Sequence, residues 1–245
     1  MTMTDIDTLA AAIMRDGFAV LTGARMCSVL EAYGALSDWS TFTASWNDLG
    51  LDTYMADGGR YRKRRHATYA SDGENAPIRR APHQPHYQSR DYNPVNGGIQ
   101  RWFEPVLPDI GDGASMRAIL GACRALFERL VPVRAWHVEV HQFRVEARAD
   151  VAGQPTPEGV HRDGVDFVLV LLIGRRNVRS GVTSLVKPDG TMLGSFTLVE
   201  PMDTVLLDDL RVLHGVTPVQ PIDPTQPSTR DVLVLTFRHS GTGSP

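Results

Sequence analysis

The sequence predicts a mainly β protein with flanking α-helices, in which a β sandwich or jelly roll carries helices from the N-terminal half packed on it. Residues 136–239 form a series of short apolar or alternating runs that are separated by turn residues. Helical spacing of apolar residues occurs before residue 132. No glycine-rich phosphate loop stands between a strand and a helix, which argues against a parallel nucleotide-binding sheet.

Three segments of the N-terminal half are predicted to be helical, because their apolar residues recur at spacings of three and four. They are residues 4–17, 24–39 and 115–131, of which the last has the clearest pattern. A short apolar run at 18–23 predicts a strand between the first two. Residues 48–103 are rich in Gly, Pro, Asn, Tyr and Arg with little periodicity, so we expect irregular strands and functional loops there.

The C-terminal half is predicted to consist of strands joined by short turns. Along WHVEVHQFRVEA (136–147) successive side chains alternate between two faces, which puts His141 opposite Gln142 and Arg144. Turn residues at 188–190 predict a hairpin. The remaining predicted strands are DFVLVLLIG (166–174), the hairpin GVTSLVKPDGTMLGSFTLV (181–199), TVLLDD (204–209), RVLHGVTPV (211–219) and RDVLVLTFRHS (230–240).

The composition argues against several classes of protein. The chain has 245 residues, 42% of them hydrophobic, and a formal net charge of −3, so no global basic field attracts nucleic acid or an acidic membrane. No apolar run approaches the roughly 18 residues that span a bilayer. Cys27 and Cys123 are the only cysteines, too few for a disulfide framework. The N-terminus is acidic where a signal peptide would be basic, so we expect a cytoplasmic protein.

A candidate metal site stands directly before the most apolar predicted strand, in EGVHRDGVDFVLVLLIG. His161 and Asp163 are two residues apart and therefore share one face of an extended chain. Alone they could be a structural ion pair, a general-base dyad or two metal ligands. His214, in DDLRVLHGVTPV, supplies a further imidazole. Two imidazoles and one carboxylate on a β scaffold form the facial triad of non-haem iron(II) oxygenases, which leaves positions for a chelating co-substrate and dioxygen.

An anionic 2-oxo acid co-substrate would need a cation for its distal carboxylate. A guanidinium suits this, because its planar fork binds a carboxylate through two hydrogen bonds. Arg230, at the start of RDVLVLTF, is the first choice, and Arg238 at the far end of the same strand is a weaker rival. Gln142 is predicted to help orient the co-substrate, and Arg144 the substrate.

The basic segment GGRYRKRRHATY (58–69) is most simply a solvated strand. Alternation puts Arg60, Arg62 and Arg64 on one face. Because the chain is acidic overall, a nucleic-acid patch is disfavoured. We expect one of these arginines, Arg60 or Arg62 first, to bind a substrate carboxylate, since a dehydrated carboxylate needs a cation.

Three segments resemble the bacterial 2-oxoglutarate/iron(II) dioxygenases that hydroxylate free L-amino acids, the L-isoleucine dioxygenase-like group. They are GVHRDGVDFVLVLLIGRRNVRSGVTSLV, EPMDTVLLDDLRVLHGVTPVQP and RDVLVLTFR. The resemblance implies a double-stranded β-helix, cupin-like core that binds Fe(II) through His161, Asp163 and His214 and 2-oxoglutarate through Arg230. It also implies that O2 and 2-oxoglutarate are consumed, giving succinate, CO2 and a hydroxylated aliphatic carbon of the amino acid.

The organisation favours one oxygenase domain, residues 1–245. Its parts are a helical and irregular segment (1–131), a β core with the metal site (132–240) and a flexible tail (241–245). Open alternatives are another small carboxylate or amino-acid derivative as substrate, a non-catalytic cupin-like metal-binding module, and a zinc hydrolase on the same three residues. The sequence leaves open the amino acid, the carbon attacked, the stereochemistry and the oligomeric state, with a homodimer among the options.

Overall fold

The computed structural model describes residues 5–73, 76–131 and 135–239. In these ranges the fold is mainly β, as predicted, with helices concentrated before residue 128. The helices are α1 (Asp5–Asp16), α2 (Gly23–Glu31), α3 (Trp39–Ala44), α4 (Pro108–Gly111) and α5 (Ala114–Phe127), with a 3-10 helix at Ser45–Asp48. The predicted tail at 241–245 lies outside the described residues.

The strands follow the predicted runs closely in the C-terminal half. Those of the N-terminal half are β1 (Phe18–Leu21), β2 (Gly50–Leu51), β3 (Arg62–Ser71) and β4 (Arg79–Arg80). Those of the C-terminal half are β5 (Trp136–Ala147), β6 (Phe167–Arg176), β7 (Val178–Ser180), β8 (Thr183–Val186), β9 (Met192–Phe196), β10 (Thr204–Asp208), β11 (Leu213–Val216), β12 (Val219–Pro221) and β13 (Ser228–His239).

The predicted helix at 24–39 stops at Glu31, and its early end has a tertiary cause. α2 ends at Glu31, and Gly34 then packs so closely on α5 that an added Cβ would lie 3.3 Å from the Cβ of Ala118. Asp38 accepts a hydrogen bond from the backbone N–H of Ser115 at 2.8 Å, near the start of α5. This contact satisfies one of the free N–H groups of the first turn of α5, and residues 32–38 are used for it instead of continuing α2.

The expectation of irregular strands within 48–103 was wrong for β3. This strand is regular over ten residues and pairs antiparallel with β5 along its whole length, from Arg62↔Val145 to Ser71↔Trp136. The strand predicted for the basic segment is therefore present, but it is not solvated, because Arg62 and Arg64 are buried and Arg62 lies 2.8 Å from Asp52.

Two sheets face each other across the site. The larger has the order β1-β10-β6-β13-β5-β3-β2, with β4 added to β3, and the smaller has the order β11-β8-β9. A separate pair, β12-β7, extends from the end of this arrangement. The backbone of His161 pairs with that of His214, which adds the segment before β6 to the edge of the smaller sheet.

The larger sheet has a helix-covered face and a cavity face. Leu233 and Leu235 of β13 belong to the same buried cluster as residues of α1, α2 and α5. Phe127 of α5 stacks on Phe167 of β6 with ring centroids 4.6 Å apart. Burial of each such side chain contributes about 1.5–3 kcal/mol. None of the helices in the described ranges is long and apolar enough to cross a membrane.

Candidate active site

A cavity of about 270 Å³ opens on the uncovered face of the larger sheet. Its walls are the inward residues of β3, β5, β6 and β13, together with β11 of the smaller sheet and the loops at 86–93 and 155–165. Along β13 the inward residues alternate, from Arg230 through Val232 and Val234 to Thr236. The floor is therefore apolar and the ends of the cavity are polar.

His161, Asp163 and His214 converge on this cavity. The two histidines exchange backbone hydrogen bonds of 2.9 and 2.8 Å, so both imidazoles project from one side of the pair. The Nε2 of His161 lies 3.7 Å from one oxygen of Asp163, and the Nε2 of His214 lies 3.8 Å from the other. The sequence-predicted trio is thus brought together.

The geometry of these three side chains fits a metal ion. Their ligand atoms all lie within 4.8 Å of one another. The two N–O separations exceed a hydrogen bond but are shorter than two metal–ligand bonds of about 2.1 Å each. The Nδ1 of His161 is 3.0 Å from the carbonyl oxygen of Gly159, the kind of contact that orients a metal-binding imidazole. Burial lowers the pKa of His214 to about 4, so its imidazole is neutral and can bind a cation.

The loop that presents Asp163 is fixed by Asp209. Its carboxylate accepts hydrogen bonds from three successive backbone N–H groups, those of Asp163 at 3.0 Å, Gly164 at 2.8 Å and Val165 at 3.1 Å. Gly164 has φ +79° and packs against Tyr92, whose ring carbon would lie 2.5 Å from an added Cβ. Asp209 and the left-handed glycine together define where the Asp163 carboxylate points.

Arg230 lies in the same cavity and has capacity to bind an anion. It is 2% exposed, and within the described part of the chain its Nε and one terminal nitrogen have no hydrogen-bond acceptor. Burial and then the neighbouring Arg175 lower the pKa of Arg230 to about 10, which still leaves the guanidinium charged at neutral pH. A buried charge without acceptors is costly, so the residue fits the distal carboxylate of a 2-oxo diacid.

Comparison with known proteins points to the same chemistry as the metal-binding trio and Arg230. Residues 43–236 match the family described as 2OG-Fe dioxygenase. The chain belongs to this family. It is therefore an enzyme of the class that uses iron, 2-oxoglutarate and dioxygen.

The similar proteins extend over nearly the whole chain. A 3(1)-hydroxy-L-isoleucine 4-dioxygenase of Pantoea ananatis is 25% identical over 240 residues, which is 94% of each chain. An L-isoleucine-4-hydroxylase of Bacillus thuringiensis is 23% identical over 172 residues, 64% of this chain and 66% of that one. The crystal structure of a bsmA homolog from Methylobium petroleophilum has a TM-score of 0.89 at 36% identity, covering 100% of this chain and 97% of that one.

Two of the predicted binding residues of this 2OG-Fe dioxygenase lie away from the cavity. Gln142 is fully buried on the opposite face of β5, where its side-chain amide donates to the hydroxyl of Ser45 at 2.8 Å. Arg144, on the same face, donates to both carboxylate oxygens of Asp231 at 2.8 and 2.7 Å. The structure does not bring either residue to the site. The alternation along β5 already indicated this outcome in the sequence, because Gln142 and Arg144 lie on the face of the strand opposite to His141.

Of the two arginines of the basic segment that were predicted to bind substrate, only one lines the cavity. Arg60 is exposed and lies outside the cavity lining. Arg62 lines the cavity, but its Nε and one terminal nitrogen are 2.9 and 2.8 Å from Asp52. Arg238, the rival anchor, lines the cavity from an exposed position at the end of β13.

Sequence reasoning missed a buried network beside the triad. His66, His86, Glu139 and His141 place ligand-type atoms within 4.8 Å of one another. Arg64 donates to the Nδ1 of His141 at 2.7 Å, which puts the proton of this imidazole on Nε2, 3.4 Å from Glu139. His86 lies 2.6 Å from the same carboxylate. With a guanidinium this close, the group suits hydrogen bonding to Glu139 better than cation binding.

Two further charged residues of the cavity, Arg101 and Glu158, were also missed. Arg101 is 1% exposed, and the side chain of Glu158 is 8% exposed. Both stand outside the C-terminal strand pattern, in segments with little periodicity. Their only sequence signal is that each lies in a polar segment rich in Gly and Pro, where functional loops are expected.

Proposed function

We propose that this 2OG-Fe dioxygenase hydroxylates an aliphatic C–H bond of a free L-amino acid. The observation that carries the proposal is the shared cavity, in which His161, Asp163 and His214 face one point and the unsatisfied guanidinium of Arg230 lines the same space. The names of the Pantoea ananatis and Bacillus thuringiensis relatives support an amino-acid substrate. The cavity volume of about 270 Å³ is near the lower end of the roughly 300–1,000 Å³ typical of small-molecule sites.

The reaction balances with the co-substrates of the family. The bond between the carboxyl carbon and the keto carbon of 2-oxoglutarate breaks and releases CO2. One atom of dioxygen enters the new succinate carboxylate, and the other becomes the hydroxyl oxygen on the substrate carbon. An Fe(II) ion bound by His161, Asp163 and His214 would supply the activation of dioxygen.

The residues of the chain have defined tasks in this proposal. The neutral imidazole of His214 and the carboxylate of Asp163 provide ligand atoms, and Asp209 keeps the Asp163 loop in place. Arg230 orients the 2-oxoglutarate by binding its distal carboxylate. Val170, Val232 and Val234 line the cavity with apolar surface that keeps water away from reactive groups.

The topology supports a double-stranded β-helix core. In the larger sheet β5, β13, β6 and β10 are neighbours, and in the smaller sheet β11, β8 and β9 are neighbours, with the His161 segment paired to β11. Chain connections pass repeatedly from one sheet to the other, as in a jelly roll. We take residues 1–245 as one oxygenase domain, because α1, α2 and α5 share a hydrophobic cluster with the larger sheet.

The test is substrate-dependent formation of succinate. The protein is mixed anaerobically with Fe(II), 2-oxoglutarate and each of the twenty proteinogenic L-amino acids, air is admitted, and succinate and hydroxylated product are measured by mass spectrometry. At least one amino acid is expected to increase succinate and to gain one oxygen atom. His161→Ala is expected to abolish both signals. Unchanged succinate formation by His161→Ala, or hydrolysis that proceeds with zinc and no oxygen, would count against the proposal.

A further inference from the structure

Besides Arg230 and Arg238, three guanidinium groups line the cavity, and two of these three already have an ionic partner. Arg62 lies 2.8 Å from Asp52, and Arg64 lies 3.6 Å from the same oxygen. Arg64 also donates to His141 at 2.7 Å. These two cations are therefore neutralised or hydrogen-bonded within the protein.

Arg101 has no such partner. In the part of the chain that the structure describes, no carboxylate lies within 4.0 Å of its guanidinium, and its Nε has no acceptor. The one hydrogen bond that its guanidinium makes to a described residue is long, 3.5 Å, and goes to the side-chain oxygen of Gln88. Gln88 in turn donates to the carbonyl oxygen of Asp163 at 3.2 Å, so Arg101 is held one side chain away from the triad.

Glu158 is the complementary case. One carboxylate oxygen is buried and has no donor among residues 5–73, 76–131 and 135–239. The other lies 3.4 Å from the Nε2 of His161. If that nitrogen binds iron, as the proposed function requires, it carries no proton and can donate no hydrogen bond to Glu158. The carboxylate then lacks any partner among the residues that the structure describes, which a buried anion rarely does.

We infer that Arg101 and Glu158 recognise the two charged ends of an α-amino acid, Arg101 its carboxylate and Glu158 its ammonium. The inference rests on the proposed function and deepens it. One unpaired cation and one unpaired anion, both buried and both facing the same cavity, match a zwitterion and nothing of net charge. Burial and then Arg62 lower the pKa of Arg101, and the charges of Asp52 and, after it, Glu158 oppose this lowering.

The other carboxylate of the cavity is less suited to bind the ammonium. One oxygen of Glu139 is contacted by His86 at 2.6 Å and by His141 at 3.4 Å, and the other lies 3.7 Å from the Nε2 of His137, so imidazoles flank both oxygens. Recognition of both ends by Arg101 and Glu158 makes the enzyme selective for unmodified amino acids. An N-acylated amino acid, a carboxylic acid without the amino group or an amino-acid amide would each leave one buried charge unpaired.

The experiment measures each of two variants with three forms of one substrate. The probes are the proteinogenic amino acid that gives the highest succinate rate, the corresponding acid without the amino group, and its primary amide. The variants are Glu158→Gln and Arg101→Gln. Glu146→Gln and Arg148→Gln are the matched controls, because Glu146 is on the outward face of β5, 2.7 Å from Lys63, and the side chain of Arg148 is 66% exposed.

Glu158→Gln is expected to lower kcat/KM for the amino acid by about 10- to 100-fold but to change that for the acid without the amino group by less than about 3-fold. Arg101→Gln is expected to do the same for the amino acid and to spare the amide. Calorimetric titration of the amino acid into the oxygen-free enzyme with Fe(II) and 2-oxoglutarate should show matching losses of affinity. Glu146→Gln and Arg148→Gln should keep the kcat/KM and the affinity of the unaltered enzyme for the amino acid.

Two results would overturn the assignment. If Glu158→Gln lowers activity on the amino acid and on the acid without the amino group equally, Glu158 acts through His161 and does not bind the ammonium. If Arg101→Gln and Glu158→Gln leave amino-acid affinity unchanged, other groups bind the zwitterion. In both cases the unaltered enzyme still hydroxylates the amino acid, whereas failure of the proposed function appears as no hydroxylation of any free amino acid by the unaltered enzyme.

Discussion

His161 and His214 are joined through their backbones. The N–H of each donates to the carbonyl of the other, at 2.9 and 2.8 Å, and the two rings lie with centroids 4.7 Å apart. A directly opposed antiparallel pair puts both side chains on one side of the sheet. The backbone pairing therefore positions the two imidazoles side by side.

A preformed site predicts that removing metal leaves the fold intact. The chelator-treated protein should keep its circular dichroism spectrum and melt cooperatively. Adding Fe(II) anaerobically at about 100 times its dissociation constant should stabilise the fold by about 2.7 kcal/mol. For a domain of this size that is a rise of roughly 5–10 °C in Tm.

His214→Ala should abolish the iron-dependent rise in Tm while it lowers the Tm of the metal-free protein only slightly. His239→Ala, at an exposed histidine of β13, is the control and should retain the rise. An unfolded metal-free protein, or an undiminished rise with His214→Ala, would contradict the preformed site.

Arg230 and Arg238 were rivals in the sequence, and the structure separates them by burial and partners. Arg230→Gln is expected to raise the KM for 2-oxoglutarate by about 10- to 100-fold, the cost of one charge-assisted pair of hydrogen bonds. Arg230→Lys should have a KM between those of the unaltered enzyme and Arg230→Gln, because lysine keeps the charge but lacks the planar guanidinium that donates two hydrogen bonds. Arg238→Gln should change the KM by less than about 3-fold, since Arg238 is exposed. A larger effect for Arg238 than for Arg230, measured by succinate formation at varied 2-oxoglutarate, would exchange their roles.

The sequence predicted the strands of the C-terminal half and named the three residues that converge in the cavity. It could do so because these features depend on local periodicity and on residue types that have few other uses together. The break after α2 was not predictable in this way. It depends on Gly34 meeting Ala118 and on Asp38 bonding to Ser115, contacts between segments about 80 residues apart.

The arginines near the cavity show even more clearly that contacts between distant segments cannot be predicted from local sequence patterns. Lys63 of β3 pairs with Arg144 of β5, and Arg64 with Phe143, so neighbouring basic residues point to opposite faces of one sheet. Alternation orders them into two sets, but which set faces the cavity depends on what covers the other side. Arg101 pairs with His86 in a single β-bridge outside the strands, which no alternating pattern in the sequence predicts. Loop residues such as these are found only when the fold is known.

The buried pair Asp52–Arg62 allows a test of how much an ion pair beside the cavity contributes to the stability of the fold. Burial alone would raise the pKa of Asp52, but Arg62 and Arg64 lower it below its ordinary value overall. A carboxyl group with a lowered pKa in the folded state adds stability above its unfolded-state pKa, about 3.9, and this stability is lost as the pH falls through the folded-state pKa. Asp52→Asn should therefore lower the free energy of unfolding by about 3 kcal/mol at pH 7.

The difference between the unaltered protein and Asp52→Asn should stay constant from pH 7 to about pH 5 and shrink below about pH 4. Urea unfolding at a series of pH values measures it. Asp91→Asn, at an exposed position, should show no difference at any pH. A difference for Asp52→Asn that grows as the pH falls would mean that the carboxylate does not stabilise the two arginines.

Asp209 should control metal affinity although it does not face the ion. It accepts hydrogen bonds from the N–H groups of Asp163 and the next two residues, so its loss frees the loop that aims the Asp163 carboxylate. Asp209→Ala is expected to weaken Fe(II) binding by about 10- to 100-fold, the range for residues that orient ligands. Asp208→Asn is the matched control, because Asp208 accepts a hydrogen bond from the N–H of Leu210 rather than from the Asp163 loop. Anaerobic Fe(II) titration followed by Tm measures both, and equal affinities for the two variants would show that the loop keeps its shape without Asp209.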